Sequence, residues 1–143
     1  MKMTKIAVLL LAVVFVLGMF ASCATTPTTT VKITFFNQNN EAIIKTYEAK
    51  LTKEAPTVLD AVNAVADAYA LDETYANITM NEEGTAVKDV DDCKEDLTPD
   101  SNNMIKYWMF FLNKEEPKGD INEIAVADGD TIVFQFVEEV VEE

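Results

Sequence analysis

The segment that decides the fold is MIKYWMFFL, from Met104 to Leu112, the most apolar run outside the first 22 residues. Its aromatic composition and its length are typical of a strand. Because side chains alternate across a sheet, Tyr107 and Trp108 must point to opposite faces. Both sets of positions are largely apolar, so we expect a central strand that is either buried on both faces or partly exposed at a ligand surface.

The segments around this strand predict short strands and a single helix. The helix opens at Pro56-Thr57 and ends near Ala70, because apolar residues recur between them at helical spacing and Asp60 stands at the capping-box position. The order ββαββββ predicts an α+β fold of the β-grasp type, in which one helix packs on a mixed sheet. The predicted strands are Val31–Phe36, Ala42–Ala49, Tyr75–Met80, Thr85–Val90 and Thr131–Val137, with a short element at Ile121–Val126 and a polar loop at Asp91–Asn103.

The first 22 residues have the organisation of a signal peptide. Lys2 and Lys5 precede an apolar run from Ile6 to Phe20, which as a helix would be about 22 Å long, shorter than the ~30 Å core of a bilayer. Phe20-Ala-Ser-Cys23 resembles the lipobox of bacterial lipoproteins, in which small residues precede a lipidated cysteine. Lipidation of Cys23 would anchor the protein to the cell membrane or outer membrane on its extracytoplasmic side. Ordinary signal-peptidase cleavage near Ala24 is the alternative.

The rest of the chain is organised as one domain on a short tether. Residues 23–30 combine the cysteine with a Thr/Pro-rich spacer that cannot build a core. Residues 31–137 have the length of a single domain, and residues 138–143 form an acidic tail. Since Cys93 is the sole cysteine of this part, no intramolecular disulfide is expected and the core alone must hold the domain.

The composition excludes several classes of function. The chain has 25 acidic residues against 11 basic ones, for a net charge of −14, and every basic residue is lysine. Without histidine there is no Ser-His or Cys-His nucleophile pair and no imidazole metal site, and without arginine there is no bidentate fork for phosphate. The negative charge repels nucleic acid. We therefore expect no catalytic residues, no resident cofactor and no nucleic-acid partner.

An acidic cluster from Asp89 to Asp100, at the end of a predicted strand and in the polar loop after it, offers oxygen ligands of the kind that Ca²⁺ prefers. An EF-hand frame starting at Asp89 lacks the required glycine and the final glutamate, so we predict a solvated loop and no metal site. Cys93 lies within the cluster, whose charge should raise the pKa of the thiol and make it a poor nucleophile.

Motifs at three places in the chain carry a resemblance to a known family. Thr57-Val-Leu-Asp-Ala61 opens the helix, Trp108 and Asn113 stand on and after the apolar strand, and Ala127-Asp-Gly-Asp-Thr-Ile132 forms a later turn. In this order and at these separations they resemble the C-terminal β domain of the cobalamin carriers transcobalamin and intrinsic factor. Bacterial surface proteins and lipoproteins of undefined function carry a related domain. The resemblance covers roughly Val31–Val137.

The resemblance implies a position for a ligand. In the carriers, the tryptophan-containing strand and the hairpin loop before it approach the corrin ring, and that loop corresponds to Asn81–Thr85 here. The candidate ligand-binding residues are therefore Tyr107, Trp108, Phe110 and Asn113 on the strand, with Asn81, Glu83 and Gly84 in the loop.

Two hypotheses for function follow. The first is a non-catalytic cell-envelope lipoprotein that binds a small ligand, such as a corrinoid or another flat apolar molecule, on which Tyr107 and Trp108 stack. The second is a protein-interaction or surface-display module, in which the same aromatic surface docks an envelope protein. The face that Trp108 occupies discriminates between them, because burial under the helix would remove the main residue of the ligand hypothesis.

Overall fold

The computed structural model of the protein describes residues 25–70 and 77–142, so the predicted signal peptide and Cys23 lie outside the described residues. Within these residues the chain forms one helix, α1, at Val58–Ala70, and no helix is long and apolar enough to cross a membrane. The strands are β1 Thr29–Phe36, β2 Ala42–Leu51, β3 Ile78–Met80, β4 Val87–Val90, β5 Cys93–Lys94, β6 Met104–Leu112 and β7 Thr131–Val140.

The main sheet has the order β2-β1-β7-β6, in which β1 and β7 run parallel and the other pairs are antiparallel. Two hairpin-like pairs, β1 with β2 and β6 with β7, are thus joined through the first and last strands. One helix packs on this mixed sheet, which confirms the predicted α+β fold of the β-grasp type. A second, smaller antiparallel sheet has the order β3-β4-β5.

The prediction that Met104–Leu112 is a central strand is wrong, because β6 lies at the edge of the main sheet. The centre is formed by β1 and β7. Buried and more exposed residues alternate in β7, whereas Ile33, Thr34 and Phe35 of β1 are all buried. Every residue of β6 is partly exposed. The apolar residues on both faces of β6 therefore have different surroundings. One face packs against other elements, and the other is a partly exposed apolar surface.

The core lies between the main sheet and a layer that consists of α1 and the β3-β4-β5 sheet. Phe35 of β1 stacks on Phe134 of β7 with 4.7 Å between ring centroids and both rings almost fully buried. The helix packs mainly on β2 and β1, whereas the small sheet lies against β6. We call this side of the main sheet the inner face, and the opposite side the outer face.

The start of α1 follows the predicted capping pattern. The Asp60 carboxylate accepts hydrogen bonds from the Thr57 backbone N–H at 2.7 Å and from the Thr57 hydroxyl at 2.9 Å. Lys53 Nζ also donates to this carboxylate at 3.0 Å. Burial raises the pKa of Asp60, but the hydrogen bonds from Thr57 and Lys53 outweigh it and hold the pKa below its ordinary value of 3.8.

Three segments differ from their predicted structure. The polar loop contains the short strand β5, which pairs with β4. Residues 121–126 form a turn and a single bridge, between Thr57 and Ala125, in place of a strand. Strand β7 continues to Val140 and so includes part of the segment assigned to the acidic tail, because Glu138 and Glu139 pair in register with Lys106 and Ile105.

Replacing Asp60 with alanine should lower the free energy of unfolding by about 1–2 kcal/mol at neutral pH, because it leaves the Thr57 N–H without its acceptor. Since the folded-state pKa of Asp60 is depressed, its contribution is present above 3.8 and is lost as the pH falls through the folded-state value. Denaturant titrations should therefore show the difference from wild type closing in acid. Asp67→Ala, on the exposed side of the same helix, is the control and should change stability little at either pH. A deficit that is equal at both pH values would contradict the assignment.

Candidate functional site

Trp108 lies on the inner face, where it links β6 to the small sheet. Its indole Nε1–H donates to the Cys93 carbonyl oxygen at 2.9 Å. The ring makes an edge contact with Phe35 at 6.1 Å and a tilted contact with Phe136 at 5.1 Å between centroids. Trp108 thus belongs to the helix side of the sheet, but it lies over the half that β5 and β4 cover rather than under α1.

Tyr107 lies on the outer face, as the alternation predicts. Its hydroxyl donates to the Glu139 carboxylate at 2.6 Å, and this hydrogen bond, together with some burial, raises the pKa of the phenol. Because Tyr107 and Trp108 point to opposite sides of one strand, their rings cannot stack together on one flat ligand. The two residues therefore belong to two different surfaces.

The other predicted strand residues lie towards the opposite end of β6. Phe110 stacks on Phe134 with 5.5 Å between ring centroids and packs against the core. Asn113 follows the strand with φ 51°, and its side chain bridges to the next turn. It donates to Asp130 Oδ1 at 2.8 Å and accepts from the Thr131 N–H at 2.9 Å. Through these two hydrogen bonds, Asn113 links the end of β6 to the start of β7.

The predicted loop joins β3 to β4 at the same end of the molecule. Asn81 Oδ1 accepts hydrogen bonds from the backbone N–H groups of Thr85 at 2.7 Å and Ala86 at 3.0 Å, which shapes the turn. Gly84 has φ +68°, a conformation that glycine adopts without strain, and Glu83 beside it is exposed. A hollow of about 110 Å³ separates Thr85 and Ala86 from Trp108 and Phe110. The structure thus brings the inner-face strand residues close to this loop.

A larger cavity, of about 610 Å³ and open to solvent, lies at the other end of the sheet between the 92–100 segment and the ends of β6 and β7. Lys106 and Glu138 form an ion pair of 3.2 Å at its wall. The cavity is lined by the acidic residues Asp92, Glu95, Asp96, Asp100 and Glu138, by Lys94 and Lys106, and by Gln38, Cys93 and Phe136. Sequence reasoning missed this cavity, because the path of the polar loop creates it and the loop sequence carries no motif for it.

Backbone geometry fixes the acidic wall. Asp96 and Lys106 form a reciprocal backbone bridge, with N···O distances of 2.9 and 2.8 Å, that holds the loop beside the edge of β6. The Asp100 carboxylate accepts from the N–H groups of Met104 and Asn102, and these hydrogen bonds lower its pKa. Within the described part of the chain, no group of three or more Cys, Asp or Glu side chains has the geometry of a metal site. The acidic wall thus offers hydrogen-bond acceptors, and Phe136 is the aromatic residue among those that line the cavity.

Comparisons with known proteins give the fold. No protein-family profile matches the chain, and no curated protein does. Among solved structures, haptocorrin in complex with Cbi is similar over 83% of this chain and 27% of its own, with 12% identity and a TM-score of 0.52. A candidate metal-binding protein of Ruminococcus gnavus is similar over 78% of this chain and 98% of its own, with 16% identity and a TM-score of 0.45.

At these identities the likeness concerns the fold alone, and the chain spans about a quarter of the length of haptocorrin. The resemblance to the β domain of the cobalamin carriers is therefore supported at the level of fold.

The reactivity of the Cys93 thiol, at the cavity wall, provides a test of the local electrostatics. Burial, followed by the charges of Asp91, Asp89, Asp92 and Glu138, raises the pKa of this thiol above the ordinary 9.0. Because the thiolate is the reactive form, Cys93 should react with a disulfide reagent more slowly than a free thiol at mildly alkaline pH. Asp91→Asn combined with Asp92→Asn should accelerate the reaction, and both positions have positive φ, which asparagine tolerates.

The matched control for this measurement is Glu82→Gln combined with Glu83→Gln, which removes two charges from the exposed loop at the far end of the molecule. This variant should leave the rate unchanged. An equal acceleration by both double variants would show that net charge, rather than the local acidic wall, governs the thiol.

Proposed function

We propose that the protein is a lipid-anchored, extracytoplasmic module of the cell envelope that binds a small ligand without catalysis, and that the ligand is a corrinoid. The observation that supports this proposal is the open cavity beside the Trp108-bearing edge of a fold shared with haptocorrin. Its volume of about 610 Å³ falls within the range of about 300–1,000 Å³ that is usual for small-molecule sites.

The chemistry of the cavity favours a ligand that donates hydrogen bonds. Five acidic residues line it, of which Glu138 is paired with Lys106 and Glu95 with Lys88, whereas Asp92, Asp96 and Asp100 form no ion pair with any residue that the structure describes. The edge of a corrinoid carries amide side chains, which donate N–H groups that carboxylates and backbone carbonyls accept. Phe136 adds one aromatic side chain for the apolar part of the ligand. In this proposal the edge of the corrinoid enters the cavity. The ring cannot lie flat on both Tyr107 and Trp108, because Tyr107 faces the other side of the sheet.

Trp108, the one tryptophan of the chain, is placed to report on the cavity. Its indole N–H bonds to the carbonyl of Cys93, and its ring packs on Phe136, and both of these residues line the cavity. A ligand in the cavity would therefore lie one side-chain layer from the indole. Corrinoids absorb in the near ultraviolet and visible range, so their binding should quench Trp108 emission by energy transfer.

Titration of the protein with cobalamin and with cobinamide should quench Trp108 emission along a saturable curve, after correction for light absorbed by the ligand. Gln38 lines the cavity, so Gln38→Arg would place a longer and positively charged side chain there and should weaken binding of the corrinoid. Asn39→Arg adds the same charge at the next, exposed residue outside the cavity and should leave the binding as in wild type.

Quenching that rises linearly without saturation would contradict the corrinoid proposal, and equal weakening by the two variants would contradict the location. The anchor is tested separately, by mass spectrometry of the protein extracted from membranes. An amino terminus beyond Cys23, or an unmodified Cys23, would overturn the lipid anchor without bearing on the ligand.

A further inference from the structure

The outer face of the main sheet is an apolar surface that ligand binding in the cavity does not use. Along β6 it carries Ile105, Tyr107, Met109 and Phe111, whose register partners on β7 include Val133 and Val137. All six side chains are partly exposed. Both α1 and the β3-β4-β5 sheet lie on the inner face, where they contribute Val62, Val65 and Val87 to the core.

Two of the most exposed large apolar residues extend this surface at the cavity end of the sheet. Val141, 39% exposed, continues the ladder by donating its N–H to the Asn103 carbonyl at 2.8 Å. Leu97 follows Asp96, whose backbone bridges to Lys106, and is therefore a second exposed apolar residue near this end of β6. Leu97 is 59% exposed. The apolar stripe therefore runs the full length of β6.

The charge of this face differs from that of the molecule. The chain as a whole has a net charge of −14. On the strands of the main sheet, alternation and register place Lys32 and Lys50 on the outer face against Glu48 and Glu139. The acidic loop residues of the cavity lie on the opposite side. One nearly neutral, aromatic and aliphatic face thus occurs on a strongly acidic domain.

From this surface we infer that the outer face rests on the lipid bilayer that holds the anchor. The inference depends on the lipid at Cys23 in the proposed function. Strand β1 begins at Thr29, so the six residue steps from Cys23 span at most about 20 Å. The sheet is therefore confined close to the headgroups, where a neutral apolar face with a tyrosine and a phenylalanine is favoured over the acidic faces. A second copy is less suited to this face, because two strongly acidic domains repel each other.

The test attaches the domain to lipid chemically, so that it does not depend on lipidation in the cell. Protein that begins at Cys23 and carries Cys93→Ser is coupled through Cys23 to a maleimide lipid in phosphatidylcholine vesicles. Met109→Trp adds a reporter on the outer face, and Asn63→Trp adds one on the exposed side of α1, across the molecule. Vesicles whose acyl chains are brominated quench tryptophans that approach the bilayer.

The emission added by Met109→Trp should fall by about half or more in brominated vesicles, and the emission added by Asn63→Trp should not change. Equal quenching of the two reporters, or no quenching of either on coupled vesicles, would overturn the inference while leaving the anchor and the ligand proposals intact. Adding Ile105→Glu and Phe111→Glu to the Met109→Trp protein should relieve its quenching. A dimer formed by the uncoupled protein in solution and abolished by these two substitutions would overturn the lipid assignment in favour of a second copy.

Discussion

The parallel pairing of β1 with β7 is the constraint on which the rest of the structure depends. It joins the first and last strands at the centre of the sheet, where Phe35 and Phe134 stack. With both central places occupied by these strands, their hairpin partners β2 and β6 must become the edges. The apolar strand β6 therefore stands at an edge, and the chain between α1 and β6 folds into a second small sheet that covers its inner face.

The predictable parts of the fold are those with a local signal. The Thr57–Asp60 cap and the alternation of Tyr107 and Trp108 follow from spacing, and both occur as predicted. The edge position of β6 could not be predicted, because a central strand and an edge strand that is covered on one face can have the same apolar sequence pattern. The cavity was missed for a related reason: the backbone bridge of Asp96 to Lys106 creates it, and no side-chain pattern encodes that bridge.

The absence of arginine and histidine shapes what the surface can do. The lysines nearest the cavity are partly committed, since Lys106 pairs with Glu138 and Lys88 with Glu95. Among the charged residues that line the cavity, acidic residues outnumber lysines by five to two. The outer face has the opposite character, with few charges and many apolar groups. Strand β6 thus separates the polar cavity from an apolar surface. Tyr107 lies on the apolar side, and Trp108 lies on the cavity side, in contact with the lining residues Cys93 and Phe136.

The pairing of the two ends of the chain also has a kinetic consequence. Lys32 aligns with Thr131, so the central contact of the core closes a loop of about a hundred residues, and its entropy cost must be met before the contact forms. Contacts between such distant residues slow folding. A chain that enters an export channel amino terminus first would carry β1 across the membrane without its partner, and the sheet could close only after β7 had followed. For the exported protein proposed above, the central contact of the sheet would thus be among the last to form.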